Sequence, residues 1–252
     1  MKKSVYHNQK EFYEEYWVQR EQVGRLHILE GMWVPPRIKI AVSLIEDIRK
    51  GEILSCLDVG CGEGTLGKLM KAKFGEKCFL LGIDISETAL KYARQYYQQV
   101  FQCDIESDDI STVVGEQKFD YLICLETLEH LFKPEGILQQ FARLIKNDGY
   151  LITSFPNIAW WKFRIDLLRG NFPPGYKLLH PSEHIQNFTL ISFTRLLEEN
   201  GFTIKKLTGH FIPPRFLKPQ WLFTPLLKRF PNLFGYQLVV KAQLKEIFTD
   251  KT

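Results

Sequence analysis

The chain has 252 residues and a formal charge of +4, is 45% hydrophobic and 25% charged, and holds 17 Gly, 12 Pro and five Cys. These proportions exclude a disordered polymer, a collagen-like repeat and a small disulfide scaffold, and the length suits one decorated domain that buries its own core. The N-terminal MKKSVYHNQKEFYEEYW lacks the apolar stretch of a secretory signal, and no apolar run reaches the ~18 residues of a spanning helix, so a cytoplasmic protein is expected. Cys56, Cys61, Cys78, Cys103 and Cys124 lie in apolar segments at spacings that match no zinc pattern, which points to reduced, buried thiols.

All five Trp fall outside residues 52–155, and nine of the 12 Pro lie between Pro156 and Pro231, so a regular middle is flanked by irregular, aromatic-rich segments. Residues 1–51 form an N-terminal helical cap in which Glu11 to Arg20 is helical. In chain order, strand-length apolar runs follow at Ile53–Val59, Cys78–Ile83, Val100–Cys103, Phe119–Leu125 and Tyr150–Phe155. Between them the pattern predicts helices over Thr65–Phe74, Glu87–Tyr97 (with Ser86 as N-cap) and Glu135–Ile145, the last stopped by Asn147-Asp148-Gly149. Such alternation specifies a parallel α/β sheet covered by helices on both faces. After an insertion at 157–192, a helix over Phe193–Glu199 is followed by strands at Phe202–Leu207 and Tyr236–Leu244. The 28 residues between those strands contain five Pro and no crossover helix, so an antiparallel pair at the sheet edge is expected. Residues 52–156 and 193–245 would then form the core of a single domain.

The strongest local signal is Leu57-Asp58-Val59-Gly60-Cys61-Gly62-Glu63-Gly64-Thr65-Leu66-Gly67, a glycine-rich turn from the first strand into the first helix. Gly62, Gly64 and Gly67 satisfy the dinucleotide spacing G-x-G-x-x-G. The same glycines also read in the register Asp58, Gly60, Gly62, Gly64. In that register a carboxylate inside the strand orients a ligand's cationic amino group, Asp84 at the end of the second strand accepts from ribose hydroxyls, and Asp104 after the third meets an adenine amino group. Three acidic residues ending successive strands suit an adenosine that carries an amino acid.

LDVGCGEGTLG, GIDIS, CDI and FDYLICLETLEHL, in this order, resemble class I S-adenosylmethionine-dependent methyltransferases over roughly residues 52–245. The resemblance implies a Rossmann-like, seven-stranded, mostly parallel sheet with one antiparallel edge strand. It places Gly60, Gly62 and Gly64 at the methionine, Asp84 at the ribose and Asp104 at the adenine, with Ile85, Ile105 and Leu125 as further cofactor contacts. An N-terminal helix that closes over the cofactor would bring Tyr13, Tyr16, Trp17 and Arg20 to it. A nicotinamide-dependent oxidoreductase and a catalytically silent cofactor-binding accessory protein are the alternatives.

Glu126, Glu129 and His130 stand at i, i+3 and i+4 after the fourth strand, so on a helical turn two carboxylates and an imidazole would share a face. Three readings stand: a divalent metal site, a His base oriented by Glu, and a purely structural cap. The string resembles that of ubiquinone-pathway O-methyltransferases and of small-RNA 2′-O-methyltransferases, which implies a metal that holds the acceptor hydroxyls and a further ligand downstream at His184. The insertion resembles that of MetW-like methyltransferases, and Trp160, Trp161, Phe163, Arg164, Tyr176, His180 and His184 are its pocket candidates; a lid that packs its own small core is the plainer alternative. Residues 205–245 carry +8 and the remainder −4. A basic, aromatic stretch over 211–235 suits a membrane surface or an anionic acceptor, against a solvated face. The expected acceptor is a small molecule, sugar or lipid-linked intermediate methylated on oxygen. Without an RNA module or basic tail, a nucleic acid is not expected.

Overall fold

A computed structural model describes residues 8–28, 33–46, 52–172, 184–212, 225 and 228–245. Seven strands form one sheet: β1 (Leu54–Val59), β2 (Cys78–Asp84), β3 (Gln99–Gln102), β4 (Phe119–Leu125), β5 (Ile145–Pro156), β6 (Phe202–Phe211) and β7 (Gly235–Leu244). Their order is β3-β2-β1-β4-β5-β7-β6. Neighbours from β3 to β5 pair in parallel, and β7 runs antiparallel to both β5 and β6. The expected antiparallel pair therefore closes this end of the sheet, with the reversed strand one place in from the rim.

Period-two alternation sends each strand's side chains to two cores. Leu57 and Val59 point to the face covered by α5 (Ile110–Val114), α6 (Pro134–Leu144) and α8 (Leu190–Glu199). Leu54 and Cys56 point to the face covered by α2 (Pro36–Leu44), α3 (Thr65–Phe74) and α4 (Glu87–Ala93). Helix α6 buries Ile137, Leu138, Phe141 and Leu144 at helical spacing. All five Cys are free and buried.

Several boundaries differ from the sequence expectation. Helix α4 stops at Ala93, because Tyr97 turns in to fill the space beneath Gly67 and Gly82. Helix α6 ends at Leu144, and Asn147-Asp148-Gly149 does not stop it. These residues belong to β5, where Ile145 pairs with Phe119 and Tyr150 with Tyr121 across a register shift. Helix α8 starts three residues early because Thr189 and Ser192 close a reciprocal capping box.

Two N-terminal helices pack on this frame. Helix α1 (Gln9–Gln22) is strapped to α4: Glu14 accepts from the Thr88 amide (3.1 Å) and hydroxyl, and Glu21 pairs with Lys91 (2.9 Å) and accepts from the Tyr92 hydroxyl. The C-terminal end of α2 rests on Lys241 of β7. That side chain is buried, with its ammonium donating to Leu44 O (3.2 Å) and Glu46 (2.7 Å) and lying 4.0 Å from the Tyr150 ring centroid.

Beyond β5, α7 (Trp161–Leu168) starts the insertion. Trp160 and Phe163 are buried with Ile158, Trp161, Ile212 and Tyr236, and both indole N–H groups donate to Ile212 O (3.0 and 2.7 Å). The plainer alternative holds for these aromatics: they pack a small core of their own. Tyr176, His180 and most of 211–235 lie outside the described residues. A short α9 (Pro231–Phe234) leads into β7. No described helix is long and apolar enough to cross a membrane.

Candidate active site

A cavity of about 340 Å³ opens at the C-terminal ends of β1, β2 and β4, where open α/β sheets bind ligands. Asp58, Gly60, Gly62, Asp84, Ile85, Asp104, Ile105 and Leu125 line it from the sheet side, and Tyr13, Tyr16, Trp17 and Arg20 line it from α1. Gly64 does not line it. Its φ of +88° suits glycine, and a Cβ there would come within 2.7 Å of Ala93 Cα, so Gly64 serves the turn and the approach of α4. Nor is the glycine-rich turn a free cradle of amides. The N–H groups of Gly60 and Cys61 donate to Ile83 O (2.8 and 3.0 Å), and that of Gly62 to Asp84 (2.8 Å). Gly62 matters as space, because its missing Cβ lets Trp17 Cζ2 lie 2.9 Å from the position that Cβ would take.

The carboxylates are held in place. Asp58 is buried, which pushes its pKa up to about 7 even though the Tyr97 hydroxyl donates to it at 2.5 Å. Asp84 accepts from the amides of Gly62 and Ser86 (2.8 and 2.9 Å), and burial lifts it to about 6. Asp104 accepts from the Glu106 amide (3.1 Å). Arg20 lies over the rings of Tyr16 and Trp17 and donates to Tyr16 Oη (3.2 Å), while its Nε is buried with no hydrogen-bond partner. Glu63, which sequence reasoning passed over, lines the cavity at the start of α3. One of its oxygens accepts from the His27 amide (2.7 Å) and the Thr65 hydroxyl (3.0 Å), and the other is buried without a hydrogen-bond partner.

The cluster after β4 is arranged differently from the expected helical face. Only Leu128–His130 forms a helical turn, of the 3-10 type, and Glu126 precedes it with φ +52°, the one left-handed non-glycine residue among those described. This backbone takes Glu126 out of the helical face expected to hold all three residues. Its carboxylate meets Arg37 Nε (3.2 Å) and Gln237 Nε2 (2.7 Å) instead, so the proposed grouping of Glu126 with the other two is corrected. The place left by Glu126 goes to His184: Glu129, His130 and His184 each offer a ligand atom within 4.8 Å of the others. The backbone clamps this arrangement, because the amides of Ile185 and Gln186 both donate to Glu129 O (2.9 and 2.8 Å). The two imidazole rings lie 4.7 Å apart. Glu129 is fully buried with both carboxylate oxygens lacking a hydrogen-bond partner, and burial, reinforced by the nearby Glu126 charge, drives its pKa well up. Arg37, Tyr236 and Gln237 also line the cavity. None of the three belongs to a motif in the sequence, and β7 enters the site from 110 residues downstream of β4.

The profile of the methyltransferase domain family matches residues 51–187. A ubiquinone biosynthesis O-methyltransferase of Coxiella burnetii is 28% identical over 212 residues, covering 79% of this chain and 82% of that one. Among solved structures, a chain from the complex of the Trm112 methyltransferase activator with a putative methyltransferase of Haloferax volcanii superposes with a TM-score of 0.60 at 13% identity, covering 95% and 98% of the two chains. Phosphoethanolamine N-methyltransferase 2 of Haemonchus contortus, solved with S-adenosyl-L-methionine, reaches 0.60 at 14% identity over 97% of this chain and 61% of that one. The sheet order with its reversed strand, and a cavity at the strand ends, define a Rossmann-like transferase fold. This chain belongs to the methyltransferase domain family and is a class I S-adenosylmethionine-dependent methyltransferase.

Proposed function

We propose that the protein methylates a hydroxyl of a small-molecule acceptor, with Glu129, His130 and His184 as the acceptor-activating group and a divalent cation as their partner. The observation that carries this reading is the buried, unpartnered carboxylate of Glu129 beside two imidazoles at the cavity wall. A buried carboxylate with no donor is costly, and a cation is the partner that satisfies it together with neutral imidazole nitrogens. When bound, the cation would lower the hydroxyl's pKa and hold the acceptor.

In the transfer itself the acceptor oxygen attacks the sulfonium methyl in line. The new C–O bond forms as the C–S bond breaks, S-adenosylhomocysteine leaves neutral, and the hydroxyl proton passes to a nearby base. Asp58 would receive the cofactor's ammonium and the buried Nε of Arg20 its carboxylate. Asp84 would take the ribose hydroxyls and Asp104 with Ile105 the adenine, while Ile85 and Leu125 pack around them. Helix α1 forms the roof through Tyr16 and Trp17. The curated relative named for ubiquinone biosynthesis supports oxygen as the acceptor atom.

The test is incubation with S-adenosylmethionine and catechol acceptors, with and without Mg²⁺. A mass gain of one methylene on oxygen, lost in His130→Ala with S-adenosylhomocysteine affinity intact, is expected. Metal-independent turnover would remove the cation from the reading, and unchanged turnover in His130→Ala would remove the whole cluster.

Two further outcomes follow from the cofactor half. Asp58 and Asp84 have folded pKa values raised above those of the unfolded chain, so the fold binds extra protons. The unliganded protein should therefore lose stability as pH rises from the ordinary carboxylate range to about 7. An ammonium needs the ionised carboxylate, so cofactor affinity should move the other way, weakening by up to about tenfold per pH unit below about 7 with protons released on binding. Calorimetry at pH 6.5 in buffers of different ionisation enthalpy reads that release, and a zero proton count would contradict the pairing with Asp58. Trp17→Ala should weaken S-adenosylhomocysteine binding by about tenfold, because it opens the roof over Gly62. Equal affinity would place α1 outside the cofactor site.

A further inference from the structure

We propose that Tyr97 is a positioning residue for the methyl donor, its hydroxyl holding and aiming the Asp58 carboxylate for the cofactor's ammonium. This rests on the reading above that Asp58 receives that ammonium, and it adds the group that prepares the carboxylate for it. Tyr97 acts from behind the cavity wall. It is buried, and its hydroxyl donates to Asp58 Oδ2 at 2.5 Å, while Asp58 itself lines the cavity. The Gly67 amide donates to the same hydroxyl oxygen at 3.1 Å, so the hydroxyl hydrogen is left for Asp58. Gly67 is the third residue of α3, whose N-cap Gly64 makes no side-chain cap, so the tyrosine supplies an acceptor to one of the helix's free amides. The positive end of α3 thereby reinforces the donor that faces the carboxylate.

The ring sits in a slot lined by glycines. A Cβ at Gly82 of β2 would lie 2.9 Å from Tyr97 Cδ1, one at Gly64 would lie 3.3 Å from Cε2, and one at Gly67 would overlap the ring. Glycines of a turn, a helix and a strand therefore meet on one tyrosine. A phenylalanine would fill this slot equally well, but it would leave a buried carboxylate without its donor. The ionisable groups that face Asp58 are Tyr97 after α4, Asp84 at the end of β2, and the thiols of Cys56 on β1, Cys61 in the turn and Cys124 on β4. Burial drives the three thiols well up, so they stay neutral, and the Asp84 charge disfavours a second one beside it. Tyr97 alone among these groups favours the charged form of Asp58. Its own hydroxyl is driven well up by burial and by Asp58, so it stays a donor throughout the neutral range.

The test follows S-adenosylhomocysteine binding to the full chain by calorimetry across the neutral and mildly alkaline range. Methylthioadenosine, which lacks the amino acid, is the control ligand, and it also reads any effect of Asp84 on the shared ribose. In the wild type the S-adenosylhomocysteine affinity should bend near the point where Asp58 titrates, at about 7. Tyr97→Phe removes the bond that favours the ionised form, so the bend should move up by about one pH unit. Affinity should then fall by about five- to tenfold at and just below neutral pH and return to within about twofold of the wild type two pH units higher. Methylthioadenosine should bind both chains alike at every pH. Asp58→Asn should flatten the bend, and adding Tyr97→Phe to it should change the affinity by less than about twofold, because the hydroxyl acts through the carboxylate. That pair also serves where the single variant folds poorly, since it leaves no buried charge without a donor. An unmoved bend in Tyr97→Phe, a loss equal for both ligands, or a further loss in the pair each overturns the proposal. A wild-type curve without a bend is the separate failure of the Asp58 reading, and it overturns the proposal at its base.

Discussion

Manganese(II) titrated into the wild-type protein is expected to bind at a single site, and Glu129→Gln and His184→Ala are each expected to weaken that binding by about 100-fold or more. Mutating the outer partners of metal ligands already costs roughly 10- to 100-fold, so loss of a ligand itself sets a larger effect. Paramagnetic resonance of free Mn²⁺ reads the affinity directly and needs no acceptor. The glutamine variant is informative for a second reason. Burial drives the Glu129 pKa well up and so disfavours its charged form, and an amide is close in shape to a carboxyl, so Glu129→Gln should leave the melting temperature nearly unchanged. Turnover should fall by about 10²- to 10⁴-fold, the usual range for loss of an acid–base group. Undiminished Mn²⁺ binding in both variants would sink the site. A melting temperature that drops while Mn²⁺ never binds the wild type would make the cluster an element of the fold alone.

The second large effect concerns Gly67. Replacing it with alanine should destabilise the protein by about 2–4 kcal/mol and lower its melting temperature by about 5–15 °C, because overpacking adds to disturbed hydrogen bonds. A Cβ at Gly67 would run into the Tyr97 ring, which is buried and cannot swing out. The Tyr97 hydroxyl accepts from the Gly67 amide at 3.1 Å and donates to Asp58 at 2.5 Å, so a displaced ring also frees the carboxylate assigned to the cofactor's ammonium. S-adenosylhomocysteine affinity should fall with stability. Gly136 in α6 is the control, since nothing lies within 4 Å of a Cβ there and alanine favours the helix by up to about 1 kcal/mol. Calorimetric melts of the two variants decide the matter, and equal behaviour would show that Tyr97 is free to move.

Gly67 also shows where sequence reading succeeds and where it stops. Its spacing from Gly62 and Gly64 satisfies the dinucleotide pattern, yet its role is to leave room for a tyrosine 30 residues later in the chain, which no local pattern reveals. Strands β1, β2 and β4 were legible because both faces are buried and the apolar runs are nearly continuous. The short α5, with Ile110 and Val114 as its buried residues, left no readable period. Asp84 and Asp104 could be placed because each follows a strand, and strand ends are where a sheet of this type opens. Glu126 could not be placed, since the helical spacing of E-x-x-E-H assumes a backbone that φ +52° breaks. His184 could be linked to Glu129 only by resemblance, because the two amides that clamp it bind a backbone carbonyl and carry no side-chain signature.

Lys241 gives helix α2 a particular kind of independence. Helix α2, about 13 Å long, is bolted at its tail by that buried ammonium and at its head by the Arg37–Glu126 pair. The stretch of chain matched by the family begins only at residue 51. Helix α2 is thus a strut that stands before the matched stretch and is joined to the sheet at two points. Such a strut is a cassette: residues 33–46 should be exchangeable as one unit with those of a relative, provided that Lys241 and Glu126 are retained to hold its two ends.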